Sequence, residues 1–70
     1  MESKQNNKLG IKIKALRHKA NLSQDELARK SDVAYTTLTK IETGVIKSPS
    51  VFVVEKIAKT LSVSIDDLMK

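Results

Sequence analysis

Apolar residues recur at helical spacing in several short segments of the chain, and polar connections separate these segments. The first segment predicts a helix over residues 9–20. One face of this helix is apolar and carries Leu9, Ile13, Leu16 and Ala20. The opposite face is basic and carries Lys12, Lys14, Arg17 and Lys19. Ile11 falls outside the apolar stripe, so we expect it at the surface.

A capping box marks the start of the second helix. Ser23 is followed three residues later by Glu26, and each side chain can accept a hydrogen bond from the other residue's backbone N–H. Leu22 and Leu27 stand where a hydrophobic staple places its two members. The spacing predicts a helix that begins directly after Ser23.

A tight turn and a third helix follow. Asp32 tolerates the left-handed backbone that such a turn needs, and Val33 can staple onto Leu38. Leu38 and Ile41 supply the buried stripe, and Gly44 is typical of the residue just past a helix C-terminus. These signals predict a helix over about residues 34–43.

The same segment also alternates with a period of two, which is typical of a strand. Val33, Ile41 and the β-branched threonines between them fit a strand as well as a helix. A strand needs partners, however, and the other candidate, residues 51–54, continues into a helical stripe of Val54, Ile57, Ala58 and Leu61. We therefore predict a helix here.

Two more helices are predicted in the last third of the chain. Pro49 suits the first turn of the fourth helix, and either Ser48 or Ser50 can be its N-cap. In the final helix Ser64 is the expected N-cap, Asp67 completes a box-like pattern, and Val63 staples to Leu68. The acidic pair Asp66–Asp67 is explained by compensation of the helix dipole.

Composition restricts the classes of function. The 70 residues include thirteen Lys and Arg against eight Asp and Glu, and the net charge of +5 suits a polyanionic partner. There is no cysteine, one histidine and no acid–base cluster, so we predict neither an enzyme nor a metal or other cofactor. No apolar run approaches a membrane span and no signal-peptide core is visible, so we expect a cytoplasmic protein.

The residues of the second and third helices carry a resemblance to a known family. The set consists of Gln24, Leu27, Ala28, the turn residue Asp32, Val33, Leu38, Ile41, Glu42 and Gly44. This pattern resembles the helix-turn-helix of the phage-repressor and Cro family, also called Xre-like regulators, and the likeness extends over about residues 9–68. It implies an all-α, compact, five-helix, lambda-repressor-like domain over 9–70, with the helix-turn-helix at 23–44. Residues 1–8 are polar and predict a flexible arm; the alternative is an arm that holds DNA through Lys4 and Lys8.

The resemblance also implies roles for individual residues. The base-contacting positions correspond to Tyr35, Thr36, Thr39 and Lys40. The phosphate-contacting positions correspond to Gln24, Thr37, Lys47 and Ser48. Arg17 is expected to pair with Glu42 and so to orient the third helix; as an exposed pair it would contribute only about 0–1 kcal/mol. Ala34 departs from the family pattern, which commonly has Ser or Thr there, and this removes a helix cap.

These implications predict a sequence-specific regulator of transcription that binds double-stranded DNA. A domain of this size makes few base contacts, so we expect a homodimer on a pseudo-palindromic operator. The expected dimer surface is the last helix and its approach, with Val63, Ile65, Leu68 and Met69. Two alternatives stay open: an antitoxin-like or adaptor module that acts through protein–protein contacts, and nonspecific binding of nucleic acid through charge alone.

Overall fold

The computed structural model describes residues 8–69, and over these residues the chain forms five helices. They are α1 (Lys8–Lys19), α2 (Gln24–Ser31), α3 (Tyr35–Thr43), α4 (Val51–Thr60) and α5 (Ile65–Met69). The described residues contain no strand, so the segment around Thr37 is helical despite its two-residue alternation. Lys8, which we predicted in the arm, is the first residue of α1. The rest of the predicted arm lies outside the described residues.

The helix starts follow the predicted capping chemistry. At α2, the Glu26 N–H donates to Ser23 Oγ (3.0 Å) and the Ser23 N–H donates to Glu26 Oε1 (2.9 Å). The pKa of the Glu26 carboxyl group is lowered from its ordinary value of 4.5. The main cause is the hydrogen bond from the Ser23 backbone, and the hydrogen bond with the Ser23 side chain is the second. Ser64 and Asp67 form the same reciprocal pair before α5. Ser50, and not Ser48, caps α4 by accepting from the Val53 N–H.

The helix ends depend on left-handed residues. Asn21, Asp32 and Gly44 have φ values of 60°, 59° and 89°, and Asn, Asp and Gly are the residue types that adopt this conformation most readily. Ser62 also has a positive φ, of 61°, which the sequence did not indicate. At the end of α2, the Asp32 N–H reaches the carbonyls of the last helical turn. These residues reverse the chain within a few positions, which lets consecutive helices pack on one another.

A single cluster of apolar side chains joins the helices. Its fully buried members come from every helix of the described region: Ile13, Leu27, Ala28, Leu38, Ile41, Val54, Ile57, Ala58 and Leu68. Ala28 lies in α2, which packs against both α3 and α4. Ala20, predicted at the end of the α1 stripe, is exposed instead, because α1 ends at Lys19 and the chain turns away.

Arg17 and Glu42 form a buried ion pair between α1 and α3. Arg17 Nε lies 2.8 Å from Glu42 Oε2, and Arg17 Nη2 lies 3.1 Å from Glu42 Oε1. Arg17 is 7% exposed and Glu42 is 5% exposed. The sequence placed Arg17 on the exposed face of α1 and treated the pair as a surface contact. Both expectations were wrong, because the guanidinium reaches past its own helix into the α1–α3 contact.

Further hydrogen bonds complete this buried network. Arg17 Nη1 donates to the Leu22 carbonyl oxygen (2.9 Å), and Gln24 Nε2 donates to Glu42 Oε1 (3.0 Å). Arg17 Nη2 also lies 3.2 Å from His18 Nε2. The carboxylate of Glu42 therefore accepts three bonds, from α1 and from the first residue of α2. Since both charges are fully engaged, removal of one partner leaves the other buried without compensation.

We expect Glu42→Ala to lower the free energy of unfolding by about 3–5 kcal/mol, because it leaves the Arg17 guanidinium buried and unpaired. The double variant Arg17→Met/Glu42→Leu should recover most of that loss, since it removes both charges and keeps apolar volume. Urea denaturation followed by circular dichroism measures both. The surface pair Asp25–Arg29, with 3.0 Å between its charged atoms, is the matched control.

For that control, Asp25→Ala should cost no more than about 1 kcal/mol. If Glu42→Ala lowers the free energy of unfolding as little as Asp25→Ala does, the Arg17–Glu42 pair is not a buried pair whose disruption leaves an uncompensated charge. If Glu42→Ala is too unstable to measure, the recovery in the double variant still decides the question.

The N-cap of α3 offers a second test of stability. Ala34 occupies this position and makes no side-chain capping bond. Ala34→Ser should stabilise the protein by about 1 kcal/mol, because the new hydroxyl can accept from an unpaired N–H of the first turn. Thermal unfolding should then show Tm raised by about 4–8 °C. Ala15→Ser, at an exposed position inside α1, should give no rise, and an equal rise in both variants would contradict the capping explanation.

Candidate nucleic-acid interface

Helix α3 has one buried side and one open side. Leu38 and Ile41 lie in the core, where α3 packs against α1 and α2. The four predicted base-contacting residues lie on the other side: Tyr35, Thr36 and Lys40 are exposed, and Thr39 is half-buried. Positions 35 and 39 are four residues apart, and so are positions 36 and 40. Residues at this spacing are neighbours on a helix surface, so the four positions share one helical face. The structure therefore brings all four side chains together.

The threonine hydroxyl groups on this face differ in whether they already donate a hydrogen bond within the protein. Thr39 Oγ1 donates to the Thr36 carbonyl oxygen (2.9 Å), and Thr43 Oγ1 donates to the Thr39 carbonyl oxygen (2.9 Å). Thr39 keeps its hydroxyl lone pairs and its methyl group for an external partner. Within residues 8–69, the Thr36 hydroxyl and the Lys40 ammonium make no side-chain hydrogen bond to the protein. Both groups are available as donors.

The N-terminus of α3 adds backbone donors to the same face. Because Ala34 provides no side-chain cap, the first-turn N–H groups are not bonded by that residue. The first N–H groups of a helix have no partner inside the helix and carry its positive dipole end, which favours anions and acceptor groups. The exposed start of α3 therefore presents donors beside Tyr35 and Thr36.

The four predicted phosphate-contacting residues lie in three elements. Lys47 and Ser48 are exposed in the loop of residues 44–50, which follows α3, and Thr37 is half-buried within α3. Gln24 is the first residue of α2 and is half-buried, with one amide hydrogen bonded to Glu42. The Gln24–Glu42 bond was not predicted. It holds the Gln24 carboxamide in place and leaves its oxygen and second N–H for another partner.

The loop after α3 is partly anchored. The Ile46 N–H donates to the Lys40 carbonyl oxygen (3.0 Å), and the Ile46 side chain packs against the core. Val45, its apolar neighbour, is exposed. Ile46 therefore holds the beginning of the loop, and with it Lys47, close to the C-terminal end of α3.

Leu68 does not belong to the predicted dimer surface, whereas Val63, Ile65 and Met69 stay a prediction. Leu68 is buried in the core of the single chain, and Val63 and Ile65 are half-buried against that core. Of the four residues, Met69 alone is largely exposed. The reason is that the short helix α5 packs against α1 and α4, and Leu68 is the residue that fills this contact.

Residues 8–69 contain no group of His, Asp and Glu side chains arranged to hold a metal ion. None of the helices in that range is both long and apolar enough to cross a membrane. A shallow depression at the C-terminal ends of α2 and α4 is lined by Lys30, Ser31, Asp32, Lys56, Lys59 and Thr60. The lysines lie at the C-terminal ends of two helices, where the helix dipole favours cations. Lys56 Nζ also lies 3.7 Å from Asp32 Oδ2.

Comparison with known proteins shows relatives over most of the chain. The family model described as helix-turn-helix matches residues 13–68. Over 61 residues the chain is 36% identical to the HTH-type transcriptional regulator SinR of Bacillus subtilis (strain 168), and equally to SinR of Bacillus licheniformis. Each match covers 87% of this chain and 55% of the relative. The chain thus spans about half the length of the curated relatives it matches.

Two solved structures share its fold. The crystal structure of SinR, the master regulator for biofilm formation, in complex with DNA has a TM-score of 0.87 at 35% identity, over 89% of this chain and 98% of that chain. The N-terminal DNA-binding domain of SinR from Bacillus subtilis has a TM-score of 0.89 at 34% identity, over 91% and 93%. With the family model matching most of the chain and both relatives agreeing in sequence and fold, the chain belongs to the helix-turn-helix family of the phage-repressor and Cro type.

Proposed function

We propose that the chain binds double-stranded DNA in a sequence-specific manner and regulates transcription, with α3 in the major groove. The observation that carries this proposal is the open face of α3, where Tyr35, Thr36, Thr39 and Lys40 stand together in front of a buried apolar side. A helix of this kind fits the major groove, and its N-terminal residues reach base edges while the preceding helix crosses the backbone.

The side chains of this face match the chemistry of base edges. The Lys40 ammonium can donate to N7 and O6 of guanine. The threonine hydroxyls can donate or accept, and their methyl groups can contact the C5-methyl of thymine. Tyr35, at the start of α3, can contact a base or lie along the sugar-phosphate wall. This combination distinguishes bases in the major groove, which a purely cationic surface does not.

In this proposal, residues at the start of α2, in α3 and in the loop after α3 contact the DNA backbone. Gln24 uses the part of its carboxamide that Glu42 does not engage, and the N-terminus of α2 supports it. Thr37, Lys47 and Ser48 supply further contacts beside α3. The net charge of +5 favours association with a polyanion. The similarity to SinR supports the proposal, since one of its solved structures is a complex with DNA.

We infer further that two copies bind together on a pseudo-palindromic operator. One copy presents a single short helix to the groove, and two copies related by a two-fold axis double the number of bases read. The centres of the half-sites should lie about 34 Å apart, or one turn of B-DNA. A regulator of this kind acts where the chromosome is, which agrees with the cytoplasmic location expected from the sequence.

Selection from a random duplex library tests the function as a whole. We expect an enriched, inverted-repeat motif, and competition should show a preference of about 10³-fold or more over random duplex. Equal affinity for selected and random duplexes would support nonspecific binding through charge. Failure to bind either duplex would instead favour the adaptor module that acts through protein contacts.

Substitution of Lys40 tests the assignment of α3. Lys40→Ala should weaken binding to the selected duplex by about 1–3 kcal/mol, or roughly 5- to 150-fold, and should relax the preference at one base pair. Lys47→Ala should weaken binding to all duplexes alike and reduce the slope of log affinity against log salt by about one. Fluorescence anisotropy over a salt series measures both effects.

Lys59→Ala is the matched control for these two variants. Lys59 is an exposed lysine in α4, which packs mainly against α2 and α5. We expect its loss to change neither the base preference nor the affinity by more than about twofold, since long-range charge effects are screened. If Lys40→Ala behaves like Lys59→Ala, α3 is not the element that reads the DNA.

A further inference from the structure

The hydroxyl group of Thr39 already makes a hydrogen bond within α3. Thr39 Oγ1 lies 2.9 Å from the carbonyl oxygen of Thr36, three residues earlier in the helix. A carbonyl oxygen can only accept a hydrogen bond, so the Thr39 hydroxyl must be the donor in this contact. Threonine side chains commonly bond to carbonyl groups of the preceding helical turn in this way. The one hydrogen of the Thr39 hydroxyl is therefore used inside the protein.

The Thr39 hydroxyl keeps only its lone pairs for an outside partner. A hydroxyl group has a single hydrogen, so once it has donated it can only accept. To donate to an outside partner, the hydroxyl would have to rotate away from the Thr36 carbonyl. The new bond would then replace a bond that was given up, and the number of hydrogen bonds would not increase. As an acceptor, Thr39 keeps its bond to Thr36 and gains another.

The neighbouring polar groups on the open face of α3 have different hydrogen-bonding abilities. The Lys40 ammonium group can only donate. Within residues 8–69 the Thr36 hydroxyl makes no side-chain hydrogen bond to the protein, so it can donate or accept. Of these three residues, Thr39 is therefore the one that is restricted to accepting.

A DNA duplex offers few hydrogen-bond donors to a side chain of this kind. In the major groove, guanine presents the acceptors N7 and O6, and thymine presents the acceptor O4 and a methyl group. The donors in that groove are the amino groups at N6 of adenine and at N4 of cytosine. Phosphate oxygens only accept. An acceptor in the major groove can therefore make a direct hydrogen bond to an amino group of a base but not to a phosphate.

We propose that Thr39 is a specificity-determining residue that accepts a hydrogen bond from the exocyclic amino group of adenine or cytosine. This inference rests on the DNA-binding function proposed above, and it assigns the direction of one hydrogen bond at that interface. Reversal of the base pair would place a guanine or thymine oxygen opposite Thr39, and the repulsion between lone pairs would select against it. The adjacent residue Lys40 has the opposite preference, because it can only donate to acceptors such as guanine N7 and O6.

A comparison of selected sequences locates the base pair that Thr39 reads. Selection from the random duplex library is repeated with Thr39→Val, which keeps a β-branched side chain but has no hydroxyl. We expect the variant to lose its preference at one base pair of each half-site and to keep the preferences elsewhere. The base that the wild-type chain selects at this position decides between adenine and cytosine as the source of the amino group.

Removal of the amino group from that base is the decisive test. In a second duplex, adenine is replaced by purine or cytosine by 2-pyrimidinone, and each of these analogues lacks the amino group. We expect the affinity of the wild-type chain to fall by about 3- to 10-fold. Thr39→Val should bind the two duplexes with affinities within about twofold of each other, since the variant has no acceptor to lose. Thr39→Ser keeps the hydroxyl and should show the wild-type loss. Fluorescence anisotropy measures these affinities.

Thr60→Val is the matched control. Thr60 is half-buried like Thr39, and its Oγ1 donates to the Lys56 carbonyl oxygen (3.0 Å) in α4. We expect this variant to bind like the wild-type chain and to keep its sensitivity to the missing amino group. The same loss of affinity in the wild-type chain and in Thr39→Val would overturn the inference and leave the DNA-binding function intact.

The opposite direction of the hydrogen bond has its own test. The 7-deaza form of the purine in the same base pair lacks the acceptor N7 but keeps the amino group of adenine or cytosine. If this change weakens binding by the wild-type chain but not by Thr39→Val, Thr39 donates to the base and the inference is wrong. Selection that enriches no motif at all would overturn the proposed function, and this inference with it.

A measurement without DNA tests the hydrogen bond on which the inference depends. Threonine in a helix divides between two χ1 rotamers, because its hydroxyl can bond to a carbonyl of the preceding turn. Three-bond couplings measured by NMR should show that Thr39 and Thr60 both favour the rotamer that places Oγ1 beside this carbonyl. If Thr60 favours that rotamer and Thr39 does not, the acceptor-only assignment of Thr39 is wrong, whatever the chain binds.

Discussion

The buried ion pair between Arg17 and Glu42 is the interaction on which the arrangement of α1, α2 and α3 depends. Glu42 accepts two bonds from Arg17 and one from Gln24, so a single carboxylate connects the three helices. A pair this deeply buried is costly to disrupt, and its bidentate geometry permits few alternatives. The pair fixes the orientation of α3 relative to α1 and α2. The proposed recognition of bases needs side chains placed to within a fraction of a helical turn, so it would depend on this orientation.

Helix α3 itself has little intrinsic stability. It is nine residues long, rich in β-branched threonine, and begins at Ala34 without a side-chain cap. Isolated helices of such length are marginal in water, so packing of Leu38 and Ile41 must hold it. Because packing holds the helix, its exposed face can carry residues that suit contact with a ligand even though they favour helix formation only weakly. The same explanation applies to the uncapped N-terminus, whose free donors face the proposed partner.

The exposed residues Val51 and Phe52 and the end of α5 show how apolar residues with similar patterns reach different environments. The spacing of Val63, Ile65, Leu68 and Met69 fits a surface for a partner as well as it fits a core. The structure places Leu68 in the core, because α5 closes the contact between α1 and α4. Phe52 belongs to a helix whose stripe was correctly identified, yet it points away from that stripe. Periodicity locates one face of a helix but does not say what covers a second apolar face.

The sequence by itself determined the helices, most of their caps and the inner and outer sides of α3, because these depend on interactions within a few residues. Ser23 with Glu26, Asp32 and Gly44 needed no distant partner to be recognised, and the family resemblance identified Arg17 and Glu42 as a pair. Only the tertiary structure decided that this pair is buried, that Gln24 joins it, that Leu68 lies in the core and that Phe52 lies outside it. Burial is a property of the whole packed chain, since it depends on which elements meet, and residues far apart in sequence set the environment of each of these side chains.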